Sequence, residues 1–393
     1  MKPFKLAAGL SVALAGLLVG SVVASPSPSP YAQWSRGPSS DLGFFPLAVW
    51  LQAPANAAKY RQAGFNTYVG LWKGPTEEQL ATLKQAGMRL ICDQNEVALR
   101  HLEDPAIIAW MHGDEPDNAQ SLGEGKGWGD PIAPDKIVAD YQRLRKADPS
   151  RPVFLNLGQG VAWDGWYGRG PRTRHPEDYP QYLKGCDIAS FDIYPATHDN
   201  KEVAGNLWFV ARGVERLVQW SEGKKVVWNA LECTRISNPD RKPTPHEVRA
   251  EAWMSLIHGS RGLIFFVHQF KPVFREAALL EDREMLEAIT ALNLQITQLA
   301  PVLNSPSISK GVEVQSTNPS VPVSAMLKHH DGMAYLFMVG MRQGSTSASF
   351  RCPNAGDGTR VEVLGESRSI PIRDGAIRDD FSAWQVHVYR WKL

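Results

Sequence analysis

From Phe45 to about Thr290, short apolar runs alternate with helical stretches, and the alternation repeats eight times. The runs are FPLAVW (45–50), NTYVGLW (66–72), MRLICD (88–93), IIAWMHG (107–113), PVFLNLG (152–158), DIASFDIYPA (187–196), KVVWNALE (225–232) and GLIFFVHQF (262–270). Such near-continuous apolar segments suit parallel strands covered on both faces. Helical signals fall between them. Thr76 stands three residues ahead of Gln79, a capping-box spacing, and Gly87 closes that helix. Eight strand–helix pairs within roughly 250 residues match the size and order of an α/β fold of the closed (β/α)8 barrel type. The rival, an open doubly wound sheet, places a glycine-rich phosphate turn after its first strand. Here WLQAPANA follows instead.

After Leu303 the helical period disappears. GVEVQS, VSAMLKHH, MAYLFMVG, SASFRC, RVEVLG and WQVHVYRW are short alternating runs split by turn residues. They predict a small C-terminal antiparallel β-sandwich over 303–393, behind a barrel over 41–302. The N-terminus reads as an export signal over 1–24: Lys2 and Lys5, an apolar stretch to Val23, then VVA ending at Ala24. A Ser/Pro-rich linker, 25–40, follows, opening with SPSPSP. The expected location is secreted or periplasmic, with an uncleaved membrane anchor as the alternative. The four cysteines are few for this length, so the core rather than disulfides should carry stability, with most of them buried free thiols. A formal net charge of +1 gives no footprint for nucleic acid.

The fourth run ends abruptly in GDEPD, 113–117. In a barrel the C-terminal strand ends form the active face, and Pro116 stops the ladder there because it has no N–H to donate. Ala109, Met111, Gly113 and Glu115 share one face on period-two alternation, so Glu115 is predicted to project into the mouth. On the seventh run Trp228, Ala230 and Glu232 alternate in the same way. Two carboxyls delivered to one mouth can serve a glycosidic bond, one as acid and base and one as nucleophile.

With these motifs the chain resembles the large clan of retaining (β/α)8 glycoside hydrolases that carry catalytic glutamates at the ends of strands 4 and 7, cellulase-like and β-galactosidase-like enzymes among them. The resemblance covers about Phe45 to Asn293. It implies cleavage of β-glycosidic bonds in a poly- or oligosaccharide, with Glu115 in GDEPD as acid/base and Glu232 in NALECT as nucleophile. It also implies a contact role for Tyr194 in FDIYP. One departure is Asp114, where the clan has an asparagine that hydrogen-bonds the sugar. An aspartate there cannot donate, and its charge should raise the pKa of Glu115. The eighth run ends in FVHQF, so His268 and Gln269 take a place where a tryptophan is common.

Asp93 and Asp192 also stand at strand ends, as substrate ligands or, for either, as the real nucleophile. Trp72, Trp163 and Trp166 fall in loops on the active face, where an indole can stack on a pyranose or pin a long loop. The basic stretch GRGPRTR, 168–174, either meets an acidic sugar or is a solvated loop. No HExxH or G-x-S-x-G motif is present, and neither metal nor cofactor is expected. The expected partner is a carbohydrate substrate. Two alternatives use the same barrel: a carbohydrate-binding protein without turnover, and a transglycosylase.

Overall fold

The computed structural model describes residues 29–308, 312–352 and 355–393. The expected signal peptide, 1–24, and the first residues of the expected linker lie outside the described residues. Nine parallel strands form one sheet: β1 (Leu47–Trp50), β2 (Thr67–Val69), β3 (Arg89–Cys92), β4 (Ile107–Met111), β5 (Val153–Leu157), β6 (Ile188–Phe191), β7 (Val226–Val227), β8 (Asn229–Glu232) and β9 (Leu263–Phe266). The order is β7-β6-β5-β4-β3-β2-β1-β9-β8. β7 and β8 are two halves of one strand, interrupted at Trp228, the first half pairing with β6 and the second with β9. A single bridge, Asp192 to Ala230, closes the ring between them. The fold is therefore the expected (β/α)8 barrel.

Helices cover the ring in chain order: α1 (Ala57–Gln62), α2 (Glu77–Gln85), α3 (Glu96–Arg100), α4 (Pro134–Ala147), α5 (Tyr179–Tyr182), α6 (Phe209–Trp220), α7 (Pro245–Ile257), α8 (Ala278–Glu281), α9 (Arg283–Gln298) and α10 (Ala300–Leu303). α2 starts with the capping box at Thr76 and Gln79 that its sequence predicts. The crossover from β5 to β6 departs from the regular pattern. It holds only short turns and the four-residue α5, because WDGWYGRGP carries too many glycines and bulky rings for a long helix.

The barrel interior stacks small residues against large ones. Ala48, Ala109 and Ala230 make room for Trp50, Phe154 and Trp228. Gly262 is needed here, since a Cβ at that position would lie 2.6 Å from the Trp228 indole. Tyr31 and Trp34 plug the bottom, with 1% and 8% exposure. Tyr31 Oη receives the Trp228 indole N–H at 2.9 Å. This corrects the reading of 25–40 as a linker, at least from Tyr31 onward: the aromatic pair interrupting the Ser/Pro run belongs to the core. All four cysteines are free and buried.

The C-terminal part is the expected sandwich. β10 (Ser307–Ile308), β11 (Val314–Ser316), β12 (Val323–His330), β13 (Met333–Gly340), β14 (Thr346–Arg351), β15 (Arg360–Val363), β16 (Arg368–Pro371), β17 (Ala376–Phe381) and β18 (Val386–Lys392) form two sheets, ordered β10-β12-β13-β18-β15-β16 and β11-β14-β17. The larger sheet is buried on both faces. Leu336 and Met338 pack between the sheets, while the alternate residues Phe337 and Val339 pack against the barrel. There the Phe337 ring stacks on Trp253 of α7, with centroids 5.2 Å apart. Among the described residues, no helix is long and apolar enough to cross a membrane.

Candidate active site

β4 ends at Met111, and the chain turns sharply through GDEP. Glu115 adopts φ +43°, a left-handed conformation that costs a residue with a Cβ of order 1–3 kcal/mol. Neighbouring groups hold the turn. The Asn118 N–H and the Gln120 side-chain amide donate to the Glu115 carbonyl, at 3.1 and 3.3 Å. Asp117 is fully buried and anchors the turn to the next strand. It accepts the Gly158 N–H at 2.9 Å and the Tyr179 hydroxyl at 3.0 Å, with Arg169 at 3.9 Å. Consecutive residues of a regular strand face opposite ways. The kink removes that rule, and both Asp114 and Glu115 come under the influence of Asp192 at the end of β6.

The two strand ends bring Asp114, Glu115 and Asp192 together although the last lies 77 positions beyond Glu115 (192 − 115). Their protons are unequally held. Burial pushes the Glu115 carboxyl well above the ordinary glutamate value, and the charges of Asp192 and Asp114 push it further. Burial also raises Asp192, but hydrogen bonds from Glu115 and the Tyr194 hydroxyl oppose the shift by favouring the carboxylate. Asp192 Oδ1 is buried with no donor of its own; a proton on Glu115 supplies one. Of the two, Glu115 is therefore the better placed to hold a proton and Asp192 to hold the charge. Asp114 is pushed up to about 7, by burial first and by Asp192 second, while its hydrogen bond from Asn156 opposes the rise. That bond, Asn156 Nδ2 to Asp114 Oδ1, measures 2.9 Å. Protein crowds Asp114 on most sides, yet its side chain stays open to water. Gly158 gives Glu115 its space: a Cβ there would sit 2.9 Å from Glu115 Oε1.

Glu232 does not join this group. It has no accessible surface. Its carboxylate accepts the backbone N–H groups of Ala196 and Thr197, at 2.5 and 2.9 Å, and meets the buried Glu251 of α7. Its burial has a local cause. The ladder between β6 and the seventh strand stops at the Asp192–Ala230 bridge, which leaves the N–H groups beyond it to be satisfied by a side chain.

The other expected residues divide. Tyr194 stands beneath the acidic group, against Asp192. Trp72 is 70% exposed and free to stack. Trp163 is buried, and its indole N–H donates to Glu202 at 2.8 Å. Trp166 is half-buried, with its N–H on Asn118 at 2.8 Å. These two pin the β5 loop rather than offer bare rings. His268 is buried beside Gln52 and stacks against Phe270 and Phe274. Gln269 closes a hairpin by exchanging backbone hydrogen bonds with Arg275. Asp93 opens onto a separate cavity of about 260 Å3, with His112, Asp140 and Arg143. In the basic loop, Arg169 and Arg172 both bind Asp178, so neither is free for an acidic sugar.

Several residues of the mouth escaped the sequence reading. Asn156 and Gly158 sit on the fifth strand's end and act on Asp114 and Glu115. Gln159 meets His198 at 2.8 Å. Tyr167 (63% exposed) and Phe274 (57%) stand in loops at the same barrel end, as does Trp128 (74%), a loop tryptophan already legible in the sequence. The apolar character of those loop tips was the available signal for Tyr167 and Phe274. A larger cavity of about 1000 Å3 lies away from the carboxyls, between α7, α9 and the sandwich.

Comparison with solved structures places this architecture among known barrels. A candidate α-galactosidase of Bacteroides fragilis aligns with TM-score 0.52 at 9% identity, over 90% of this chain and 80% of that one. An α-amylase of Geobacillus thermoleovorans complexed with acarbose aligns with TM-score 0.52 at 8% identity, over 90% and 99%. AmyP in complex with maltose aligns with TM-score 0.50 at 8% identity, over 89% and 96%. At these identities the likeness is one of fold. No protein-family model matches the chain, and no curated protein does.

Proposed function

We propose that the chain is a glycoside hydrolase whose reacting carboxyls are Glu115 and Asp192. The observation that carries the reading is the meeting of Asp114, Glu115 and Asp192 at one barrel mouth, where burial and neighbouring charge raise Glu115 well above the ordinary glutamate value while hydrogen bonds favour the charge on Asp192. That division of labour is what acid-assisted glycoside cleavage requires. The fold shared with barrels such as the Geobacillus α-amylase is consistent with it.

In the mechanism, substrate parts the hydrogen-bonded pair to the roughly 5–5.5 Å that a retaining reaction needs and enters between them. An Asp192 oxygen attacks the anomeric carbon as the bond to the leaving oxygen breaks, and the Glu115 proton passes to that oxygen. Glu115, now a carboxylate, takes a proton from water. The water oxygen attacks the anomeric carbon, and Asp192 leaves as carboxylate, with configuration retained. Asp114, steadied by Asn156, is placed to accept a sugar hydroxyl. Exposed Trp72 and Trp128 offer faces on which neighbouring sugar rings of a poly- or oligosaccharide can stack. Export by the N-terminal segment would bring the enzyme to such polymers outside the cytoplasm.

The test is a panel of α- and β-linked oligosaccharides and aryl glycosides, with product configuration read by NMR for the wild type, Glu115→Gln, Asp192→Asn and Glu232→Gln. Hydrolysis that disappears in Asp192→Asn and leaves a retained product in the wild type supports the assignment. Turnover that survives Asp192→Asn refutes it. No turnover by the wild type, together with sugar binding, moves the protein to the binding class.

A further inference from the structure

Behind the mouth lies a second carboxyl pair with no part in the chemistry above. Glu232 at the end of β8 and Glu251 on α7 are 0% and 1% exposed. No cation pairs with either among the salt bridges of the described residues. Glu232 has donors, the N–H groups of Ala196 and Thr197. Glu251 has none: both its oxygens are buried without a hydrogen-bond partner. Two ionised carboxylates in contact in a dry site would repel strongly and leave lone pairs unsatisfied. One proton between them resolves both problems. It belongs on Glu251, because Glu232 already accepts two N–H bonds that favour its charge.

The contact has a structural consequence. After Phe191 the sixth strand leaves the ladder, held by the Asp192 N–H on the Leu157 carbonyl at 3.1 Å and by the bridge to Ala230. Beyond that, Glu232 is the side chain that fixes residues 196 and 197. The segment it fixes carries Asp192, Tyr194 and His198. We infer that Glu251 is a positioning residue: it stores a proton, donates it to Glu232, and so locks the loop that presents Asp192 and Tyr194 to the mouth. The catalytic half of this inference rests on the glycosidase reading; the stored proton does not. The groups that face Glu251 are Glu232 on β8, Cys233 just beyond it, Glu247 on its own helix and Arg241 in the loop before that helix.

Two variants of the full chain test it. Glu251→Gln replaces the stored proton with an amide N–H that cannot titrate. Glu251→Leu removes the donor. Urea unfolding is followed from pH 5.5 to 7.5. Across this range the wild type must release the Glu251 proton on unfolding, and Glu251→Gln has none at that position; Glu232, itself pushed up to about 7 by burial, is present in both chains and is common to the comparison. The ratio of wild-type to Glu251→Gln unfolding constants should therefore rise about tenfold per pH unit. A pH-independent ratio overturns the stored proton, whatever the chain hydrolyses. On a substrate found by the glycan panel, Glu251→Leu should lower kcat by at least about tenfold with little change in KM, and Glu251→Gln should stay within about threefold of wild type. Wild-type kcat in Glu251→Leu, assayed well below its melting temperature, overturns the positioning role.

Discussion

Replacing Glu115 with glutamine tests the site most directly, because the structure fixes both the size and the pH signature of the loss. General acid assistance contributes about 10²–10⁴ in rate, so kcat/KM on an unactivated glycoside should fall by that factor. An aryl glycoside whose leaving group needs little protonation should lose far less in its first step. The pH profile is more diagnostic. Asp192 must be ionised, so the wild-type rate should fall as pH drops through its pKa. Glu115 must be protonated, so the rate should also fall as pH rises through its raised pKa. Burial is the first cause of that raised value and the Asp192 charge the second. The wild type should therefore stay active well past the pH at which a free glutamate is ionised. In Glu115→Gln the alkaline limb should vanish while the acid limb remains. Steady-state kinetics from pH 4 to 9 on matched alkyl and aryl glycosides measures both effects. An alkaline limb that persists unchanged in Glu115→Gln would refute the assignment of the acid.

Three further outcomes follow from named contacts. Gly158→Ala should lower kcat about a hundredfold with little loss of melting temperature, since its Cβ would meet both Asn118 and the Glu115 carboxyl, at 2.8 and 2.9 Å; unchanged kcat would mean that Glu115 does not need this space. Trp253→Ala should cost about 3–5 kcal/mol in urea unfolding, because a fully buried indole stacked on Phe337 joins the barrel to the sandwich; a loss under about 1 kcal/mol would show that this junction contributes little. The double variant Trp72→Ala, Trp128→Ala should raise KM for oligosaccharides several-fold, leaving kcat and melting temperature near wild type, because both rings are exposed and support no core; an unchanged KM would remove them from the substrate path.

The barrel was legible because parallel strands covered on both faces leave continuous apolar runs, and eight of them survive in order. The sandwich was legible from the switch to period-two alternation after Leu303. Tyr31 and Trp34 were not recovered, since the six preceding residues are Ser and Pro and only tertiary packing shows that the barrel bottom needs a plug. The loops of the active face likewise hid two opposite uses of tryptophan. Trp163 and Trp166 have polar partners for their N–H groups in the fold, whereas Trp72 has open water.

The difference between Glu232 and Asp192 is of another kind. Period-two alternation places an acidic side chain at the top of the seventh strand, and a nucleophile and a backbone clamp look identical at that level. What separates them is where the neighbouring ladder ends. The seventh strand breaks at Trp228, whose ring fills the interior and holds Tyr31. Beyond the Asp192–Ala230 bridge, where the ladder to β6 ends, the β6 segment has two N–H groups without strand partners, and the nearest carboxylate takes them. A carboxylate so engaged, beside a second buried carboxyl that needs its lone pairs, cannot also approach an anomeric carbon. Asp192 sits earlier on the same segment, where its own N–H is still tied to Leu157 and its side chain is not taken up by those backbone N–H groups. The position at which the ladder stops, at the Asp192–Ala230 bridge, therefore separates the acidic strand end that is bound to backbone from the one that is not.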